Sequence, residues 1–130
     1  IGQNSSLRTL RLYSNAETAG AELASGGTSF GTFSDERVKK DVVKIENAVS
    51  GLMKLRCVKF NYKMDPETQG KRLGLIAQDL LGIFDEAVYK GQGWGDLIQD
   101  ENEYYSVTYT DMIPPIIAAI QELSKKIDAL

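Results

Sequence analysis

The stretch SDERVKKDVVKIENAVSGLMKLRCVKFNYK, residues 34–63, changes its apolar period part-way along and so predicts two different elements. In its first part, apolar side chains recur every three or four residues, which is the period of an amphipathic helix with one buried face. These side chains are Val38, Val42, Ile45, Val49 and Leu52. In the last part, RCVKFNYK, apolar and polar residues alternate, as expected for a half-buried strand. A helix followed by a strand is therefore predicted.

Further short elements follow this pair. MDPETQGK, residues 64–71, supplies Asp, Pro and Gly for a turn, and the apolar run RLGLIAQ, residues 72–78, is predicted to form a hairpin with the preceding strand. Next come a helical turn and a short strand in residues 79–90, a glycine-rich loop in residues 91–102, and a strand in residues 104–109. The sequence predicts an α+β fold of small antiparallel sheets with an N-terminal helix and a long C-terminal helix.

The long helix is predicted in TDMIPPIIAAIQELSKKIDAL, residues 110–130, with Thr110 or Asp111 as its N-cap. Pro114 and Pro115 fit the first turn, because the backbone N–H groups there have no helical partner. Apolar residues then recur at two heptad positions and form a seam. We expect the seam either to cover the chain's own sheet or to face a partner helix, since the repeat is too short to decide. Its residues are Ile113, Ile116, Ile120, Leu123, Ile127 and Leu130.

Residues 1–33 differ in composition from the rest, because they contain neither Pro nor Lys. The run LRTLRLYS, residues 7–14, is typical of a strand, and SGGTSFGTF, residues 25–33, is typical of turns. This segment is too short and polar to make a core alone. We therefore predict a boundary between residues 33 and 34, with a second domain over residues 34–130.

Composition excludes several classes of function. The net charge of -3 and the pI near 5.0 give no basic face for nucleic acid. The chain has no His and a single cysteine, Cys57, so His-containing zinc sites, His-based catalysis and an intrachain disulfide are excluded, and no metal or cofactor is expected. There is no apolar run of membrane-spanning length and no signal-peptide pattern, so we expect no membrane partner. We expect either synthesis in a cytoplasm or a fragment of a longer chain.

Ser34 has two interpretations on local evidence. It stands just before the predicted helix, where a serine hydroxyl caps the first turn and Asp35 and Glu36 interact favourably with the helix dipole. Alternatively, Ser34 is a nucleophile and Lys39 its base. In an ideal helix an offset of five residues points Lys39 away from Ser34. A dyad therefore requires Ser34 to lie before the helix, with the lysine side chain folded back.

Three motifs in order resemble one family, the intramolecular chaperone (peptidase S74) domain of endosialidases and phage tail-fibre, tailspike and neck-appendage proteins. SDERVKK is similar to its Ser-Asp-x-Arg-x-Lys-Lys signature, and GLIAQDL, residues 74–80, to its Gly-x-Ile-Ala-Gln-Glu/Asp motif. VTYTDMIPPIIAAIQEL resembles its closing strand and long helix. Val38 stands where Leu is usual, and Thr108 stands where Asp is more frequent. The resemblance covers residues 34–130.

The resemblance implies a homotrimer, assembled through helices, that helps an attached fibre to fold and then cuts itself off. The bond cut is Phe33–Ser34, with Ser34 as the nucleophile and Lys39 as the general base. The resemblance further implies that the product fibre joins a virion, that the chaperone is released, and that both are made in the host cytoplasm during phage assembly. Residues 1–33 are then the end of the passenger fibre. Four further residues are expected to support the site without an assigned step: Asp35, Arg37, Gln78 and Asp79.

A lysine base has a physical requirement. A free lysine has a pKa of about 10.4, so a useful base at neutral pH needs that value lowered by roughly 3 units. Desolvation and positive neighbours, such as Arg37 and Lys40, act in that direction, whereas Asp35 and Glu36 oppose it. We therefore expect Lys39 to become competent only when assembly buries it.

Two other functions are compatible with these residues. One is a structural trimerisation module at a fibre tip, in which Ser34 is only a helix cap and nothing is cut. The other is a serine hydrolase acting on separate substrates, which the absence of a Gly-x-Ser-x-Gly elbow and of His disfavours. Trp94, in the glycine-rich loop, is expected to be either a loop anchor or part of a surface that contacts the passenger.

Overall fold

The computed structural model describes residues 9–13, 20–91 and 104–130. It confirms an α+β fold of small antiparallel sheets with a long C-terminal helix. The chain divides into two compact units, Ile1–Val43 and Lys44–Leu130. Most of the glycine-rich loop, including Trp94, lies outside the described residues, and the boundary between residues 33 and 34 stays a prediction.

The first unit contains a three-stranded antiparallel sheet. Its strands are β1 (Thr9–Tyr13), β2 (Gly20–Ala24) and β3 (Gly31–Thr32), in the order β1-β2-β3. Arg11 lies opposite Glu22 in the register and pairs with it at 2.9 Å. Of the residues in this unit whose burial is described, none is buried, in agreement with the expectation that the segment makes no core of its own.

The predicted helix over residues 38–52 is wrong in its extent. Only a 3₁₀ turn at Glu36–Val38 and the short helix α1 (Ala48–Leu52) form, and the residues between them are not helical. Asp41 and Asn47 interrupt the helix with left-handed backbone, at φ of 54° and 55°, a conformation that Asp and Asn tolerate better than most residues do. The first part of the predicted apolar face is exposed, for example 73% at Val42, whereas Leu52 in α1 packs against the core.

Helix α1 begins at Ala48 because a distant carboxylate caps it. The Glu122 side chain accepts hydrogen bonds from the backbone N–H groups of Ala48 and Val49, at 2.8 and 3.0 Å. These are first-turn groups with no partner inside a helix, and Asn47, the residue at the N-cap position, makes no side-chain cap. If the helix continued toward residue 38, the same N–H groups would bond to backbone carbonyls one turn earlier.

Two separate hairpin-like sheets follow α1. Strand β4 (Cys57–Phe60) pairs antiparallel with β5 (Arg72–Leu75), as predicted. The turn between them is held by Asp65, whose carboxylate accepts from the backbone N–H of Tyr62 at 2.7 Å and pairs with Arg72. Helix α2 (Ala77–Leu80) and a 3₁₀ turn lead into the second sheet, in which β6 (Val88–Gly91) pairs with β7 (Tyr104–Val107).

A small apolar core lies where these elements meet. Its buried members come from α2, the following turns and the 3₁₀ turn before the last helix, and partly buried side chains from α1, β5, β6 and β7 surround them. Gly51 brings α1 close to this core, since a Cβ on Gly51 would lie 2.9 Å from Cζ of Phe84. The buried cluster consists of Leu80, Phe84, Ala87 and Met112.

Helix α3 (Ile113–Asp128) is the long C-terminal helix, with its prolines in the first turn as predicted. The predicted N-cap is wrong, because Thr110 and Asp111 lie in a 3₁₀ turn and Met112 precedes the helix without a side-chain cap. A 3₁₀ turn continues directly into an α-helix, so the first helical N–H groups already have backbone acceptors. No helix in the described part of the chain has the length and apolar character needed to cross a membrane.

One face of α3 packs against its own chain and another does not. Pro115 and Ala119 are buried and lie on the same face as Met112 and the partly buried Glu122. This face packs against α1. The predicted seam lies on a different face, and its members are exposed. Their exposed fractions are 53% for Ile113, 46% for Ile116, 61% for Ile120, 45% for Leu123, 66% for Ile127 and 103% for Leu130. The expectation that the seam covers the chain's own sheet is therefore wrong.

We predict that Leu80→Ala lowers the free energy of unfolding by about 2–5 kcal/mol, because it leaves a cavity at a fully buried position. The measurement is denaturant unfolding followed by circular dichroism. Leu73→Ala is the matched control, since Leu73 is 79% exposed and the same deletion there should change stability by less than about 0.5 kcal/mol. Equal losses in the two variants would contradict the position of the core.

We predict that Glu122→Gln lowers the denaturation midpoint near neutral pH and much less in acid. Hydrogen bonds from Val49 and Ala48 hold the pKa of Glu122 below its usual value, assisted by the charges of Lys126 and Lys44. Because folding lowers this pKa, the stabilisation is complete above the unfolded-state value of about 4.3 and is lost as the pH falls through the folded-state value.

The measurement for Glu122 is the difference in midpoint between parent and variant from about pH 6 to about pH 3, which should shrink as the pH falls. Glu86→Gln is the control, because it removes an equal charge from an exposed side chain of the same unit. A difference for Glu122→Gln that stays constant across this range would rule out the carboxylate cap.

Candidate functional site

Ser34 and Lys39 meet in the first unit. Nζ of Lys39 donates a hydrogen bond to Oγ of Ser34 at 2.7 Å, and both side chains are exposed to solvent. Phe33, which supplies the carbonyl before Ser34, is 62% exposed. The Ser34 hydroxyl and the Lys39 amine thus lie beside the Phe33–Ser34 peptide bond. A hydroxyl, a base and a peptide carbonyl are the groups that nucleophilic attack by a serine requires.

A short 3₁₀ turn brings the pair together. The turn spans Glu36–Val38, and the residues on either side have extended backbone, with φ/ψ of -67°/131° at Asp35 and -97°/147° at Lys39. Ser34 therefore lies before the turn and Lys39 directly after it, so the lysine side chain folds back across the turn. This is the arrangement that a dyad needs, with the serine outside the helical turn.

Asp35, not Ser34, is the cap of this turn. Oδ1 of Asp35 accepts from the backbone N–H of Arg37 at 2.9 Å. The interpretation of Ser34 as a helix N-cap is therefore wrong, because the neighbouring carboxylate occupies that role and the serine hydroxyl faces Lys39 instead. Aspartate and serine are about equally good caps by propensity, so residue type alone does not choose between them.

Arg37 folds onto the same carboxylate. Its Nε lies 3.0 Å from Oδ1 and its Nη2 lies 2.6 Å from Oδ2 of Asp35, a fork that engages both oxygens. The side-chain hydrogen bond from Arg37, followed by the backbone hydrogen bond from the same residue, holds the pKa of Asp35 below its usual value. Arg37 is thus paired with Asp35. The negative charge of Asp35 offsets the effect that the positive charge of Arg37 would have on Lys39.

The second predicted motif lies in the second unit and has local partners. Asp79 accepts from Nε and Nη2 of Arg56 at 2.8 and 2.9 Å, and from the backbone N–H of Arg56 at 3.2 Å. This pair ties α2 to the residue before β4, and the side-chain hydrogen bond from Arg56 lowers the pKa of Asp79. Gln78 is exposed on α2. Support of the cleavage site by Gln78 or Asp79 stays a prediction.

Gly74 opens that motif, and its lack of a side chain has a direct structural reason. A Cβ on Gly74 would lie 2.8 Å from the hydroxyl oxygen of Tyr109 and 2.8 Å from the ring of Phe60. The Tyr109 hydroxyl accepts from the backbone N–H of Leu75 at 2.9 Å. The glycine thus admits the tyrosine that joins strand β5 to the turn before α3.

Comparison with known proteins assigns the segment that begins at the serine. Residues 34–89 match a protein-family model described as the chaperone of endosialidase. This segment is therefore similar to the endosialidase chaperone family. The match begins at Ser34 and ends in β6, so it spans less than half of the 130-residue chain and includes the Ser34–Lys39 pair and the Gly74 motif. No curated protein and no solved structure matches the chain.

Several contacts that hold the matched segment in place were not found by sequence reasoning. Glu122 and Tyr109 reach partners that are 74 and 34 residues away, and no local pattern reports a contact of that span. The Asp35 cap had a usable signal, namely an aspartate directly before the turn. Within the described ranges no cluster of Cys, Asp or Glu side chains is arranged to hold a metal ion.

Proposed function

We propose that residues 34–130 form an intramolecular chaperone that trimerises, assists the folding of a fibre attached before residue 34, and then releases itself by cutting the Phe33–Ser34 bond. The observation that carries the proposal is the 2.7 Å hydrogen bond between Lys39 and Ser34. It joins a nucleophile to a base candidate at the first residue of the matched family segment.

The chemistry follows from the position of Ser34 next to its own carbonyl. Oγ of Ser34 attacks the carbonyl carbon of Phe33 through a five-membered ring, and Nζ of Lys39 takes the hydroxyl proton. The C–N bond then breaks, Lys39 returns the proton to the departing α-amine of Ser34, and an ester joins the two residues. Water hydrolyses that ester. The products are a carboxylate at Phe33, a free amine at Ser34 and a restored hydroxyl.

Lys39 must be neutral before it can accept this proton. In the single chain Nζ of Lys39 donates to Ser34, and the side chain is exposed to solvent. Burial favours the neutral amine. Packing of neighbouring chains around the turn would supply that burial, so cutting would follow assembly and report its completion.

The unpartnered face of α3 supports assembly. Its apolar seam is exposed along the whole helix, while the face through Pro115 and Ala119 is already occupied by the chain's own α1. A second and a third helix covering this seam would remove it from water, which is the main driving force for association. Three as the number of chains rests on the family resemblance.

Trimerisation would help a β-rich passenger for a kinetic reason. Strands from three chains pair non-locally, which is slow and prone to errors of register. An assembled chaperone raises the effective concentration of the three passenger chains and aligns their ends. Removing it afterwards leaves a product that persists because it unfolds slowly. The setting we propose is a host cytoplasm during phage assembly, after which the passenger joins the virion.

We predict that the parent chain splits after Phe33 and that Ser34→Ala and Lys39→Ala remain whole, with cleavage slowed by at least about 100-fold. The measurement is the denatured intact mass over time. Because Asp35 provides the cap, Ser34→Ala should leave the turn and the overall fold unchanged, which circular dichroism checks. Ser106→Ala and Lys71→Ala are the matched controls, since both side chains are exposed and neither belongs to the pair or to its neighbours in sequence.

If the parent stays whole as an assembled trimer over long incubation, the self-cleaving function is wrong. The domain is then an assembly module that is not cut.

We predict that Ile120→Asp prevents association and slows cleavage by at least about tenfold at equal concentration, because it places a charge in the seam. Gln121→Asp is the control, since it changes the neighbouring exposed residue of α3, which is not a seam member. Sedimentation velocity gives the oligomeric state, and intact mass gives the rate. A monomeric Ile120→Asp chain that cleaves as fast as the parent trimer would show that assembly does not activate Lys39.

A further inference from the structure

We infer that the Asp35–Arg37 pair positions Lys39 on Ser34: the Asp35 carboxylate caps the turn between them, and the Arg37 guanidinium keeps that carboxylate away from the lysine. The inference rests on the proposed self-cleavage and assigns positioning residues to it. It is carried by the geometry of the turn and by a competition between two hydrogen-bond acceptors for one ammonium group.

First, the backbone conformation of residues 34–39 determines whether Ser34 and Lys39 meet. If residues 34–39 continued as an α-helix, Ser34 and Lys39 would point about 140° apart around the axis. They meet because only Glu36–Val38 are helical and both flanking residues are extended. Any lengthening or loss of this turn therefore separates the two side chains. The 2.7 Å contact reports that the turn has its present length.

The second step is that the turn has little support of its own. It contains two backbone hydrogen bonds, Val38 N–H to Asp35 C=O at 3.2 Å and Lys39 N–H to Glu36 C=O at 3.1 Å, and none of its residues is buried. Isolated 3₁₀ turns of this size have poor hydrogen-bond geometry. The 2.9 Å hydrogen bond from the Arg37 N–H to Asp35 is the shortest of the three. Removing this acceptor should let the turn open.

The third step is a competition for Lys39. A carboxylate accepts from an ammonium group more strongly than a hydroxyl does. Asp35 is adjacent to Ser34 in the chain, so a free Asp35 carboxylate would draw Lys39 away from Ser34 and stabilise its charged form. The fork from Arg37 occupies both carboxylate oxygens. Lys39 is thereby left for the serine hydroxyl.

The two roles of the Asp35 carboxylate can be separated by substitution. Asp35→Asn keeps a side-chain oxygen that can cap the turn but removes the charge, whereas Asp35→Ala removes both. Arg37→Ala keeps the cap but frees the charge. In the double variant Asp35→Asn, Arg37→Ala the cap remains and there is no charge to free. We therefore expect Asp35→Asn to restore the cleavage rate that Arg37→Ala loses. If the ion pair were only structural, the second substitution would not restore the rate.

The experiment measures first-order cleavage of the full chain by intact mass, in assembled samples of the parent and these variants. We expect Asp35→Ala and Arg37→Ala to be slower than the parent by about tenfold or more. We expect Asp35→Asn to be at least about fivefold faster than Asp35→Ala, and the double variant at least about fivefold faster than Arg37→Ala. Glu67→Gln is the control, because it removes an exposed carboxylate that lies outside the turn and should leave the rate unchanged.

The pH dependence separates positioning from a general loss of structure. In Arg37→Ala the freed carboxylate should shift the pH–rate profile to higher pH, and the double variant should return it. If the pH–rate profile of Arg37→Ala has the same midpoint as that of the parent, or if the double variant cleaves as slowly as Arg37→Ala, Asp35 does not compete with Ser34 for Lys39. If Asp35→Asn cleaves as slowly as Asp35→Ala, the role of Asp35 as the cap of the turn is wrong.

A second measurement does not depend on cleavage. The ¹³Cε resonance of Lys39 and the backbone amide resonance of Arg37 are followed by NMR in the same variants. The ¹³Cε resonance of Lys39 should shift in Arg37→Ala and return toward its parent position in the double variant. The chemical shift of the Arg37 backbone amide should change far more in Asp35→Ala than in Asp35→Asn. If the parent never cleaves, the proposed function fails. If these resonances do not respond as described, the positioning inference fails whether or not the parent cleaves.

Discussion

The second unit depends on a carboxylate from α3 placed on the first turn of α1. Ala48 is fully buried, so water cannot reach its N–H group, and a buried donor without a partner costs free energy. Glu122 satisfies this donor and its neighbour Val49 at the positive end of the helix dipole. The same contact sets where α1 begins and which face of α3 turns inward. The seam of α3 is left exposed as a result.

Other polar contacts act in the same way across the unit, because its apolar core is small. Arg56 and Asp79 join the start of β4 to α2, and the Tyr109 hydroxyl joins β5 to the turn before α3. Each contact connects elements whose apolar side chains alone would leave their relative placement loosely defined, since hydrophobic burial has no direction. The segment that matches the family model, residues 34–89, thus relies on directional contacts with two residues beyond the matched range, Tyr109 and Glu122.

Local patterns predicted β1, β4 to β7, the turn at residues 64–71 and α3, because alternation and heptad spacing are visible within a few residues. They missed β2, and they placed β3 in a stretch of turns. They failed for the helix over residues 38–52, since periodicity shows that a buried face is available but not that a surface exists to cover it. Val42 and Val43 are exposed in the single chain. Glu122 could not be found in this way, because its partners lie 73 and 74 residues away.

The site was predicted from resemblance more than from local pattern. Helical periodicity alone would have placed Ser34 and Lys39 apart, and the structure brings them together only because the helix is reduced to a three-residue turn. The error in the helix and the contact between Ser34 and Lys39 therefore have one cause. A longer helix would have satisfied the apolar pattern and separated the pair.

The first unit has a different physical character, because its three-stranded sheet buries none of the residues whose burial is described. Ladder hydrogen bonds without a core open easily, so in the single chain the amide protons of β1 to β3 should exchange with solvent far faster than those around Leu80. Protection of these strands against exchange would have to come from contacts with other chains. Amide exchange in this sheet thus measures, residue by residue, whether such contacts have formed.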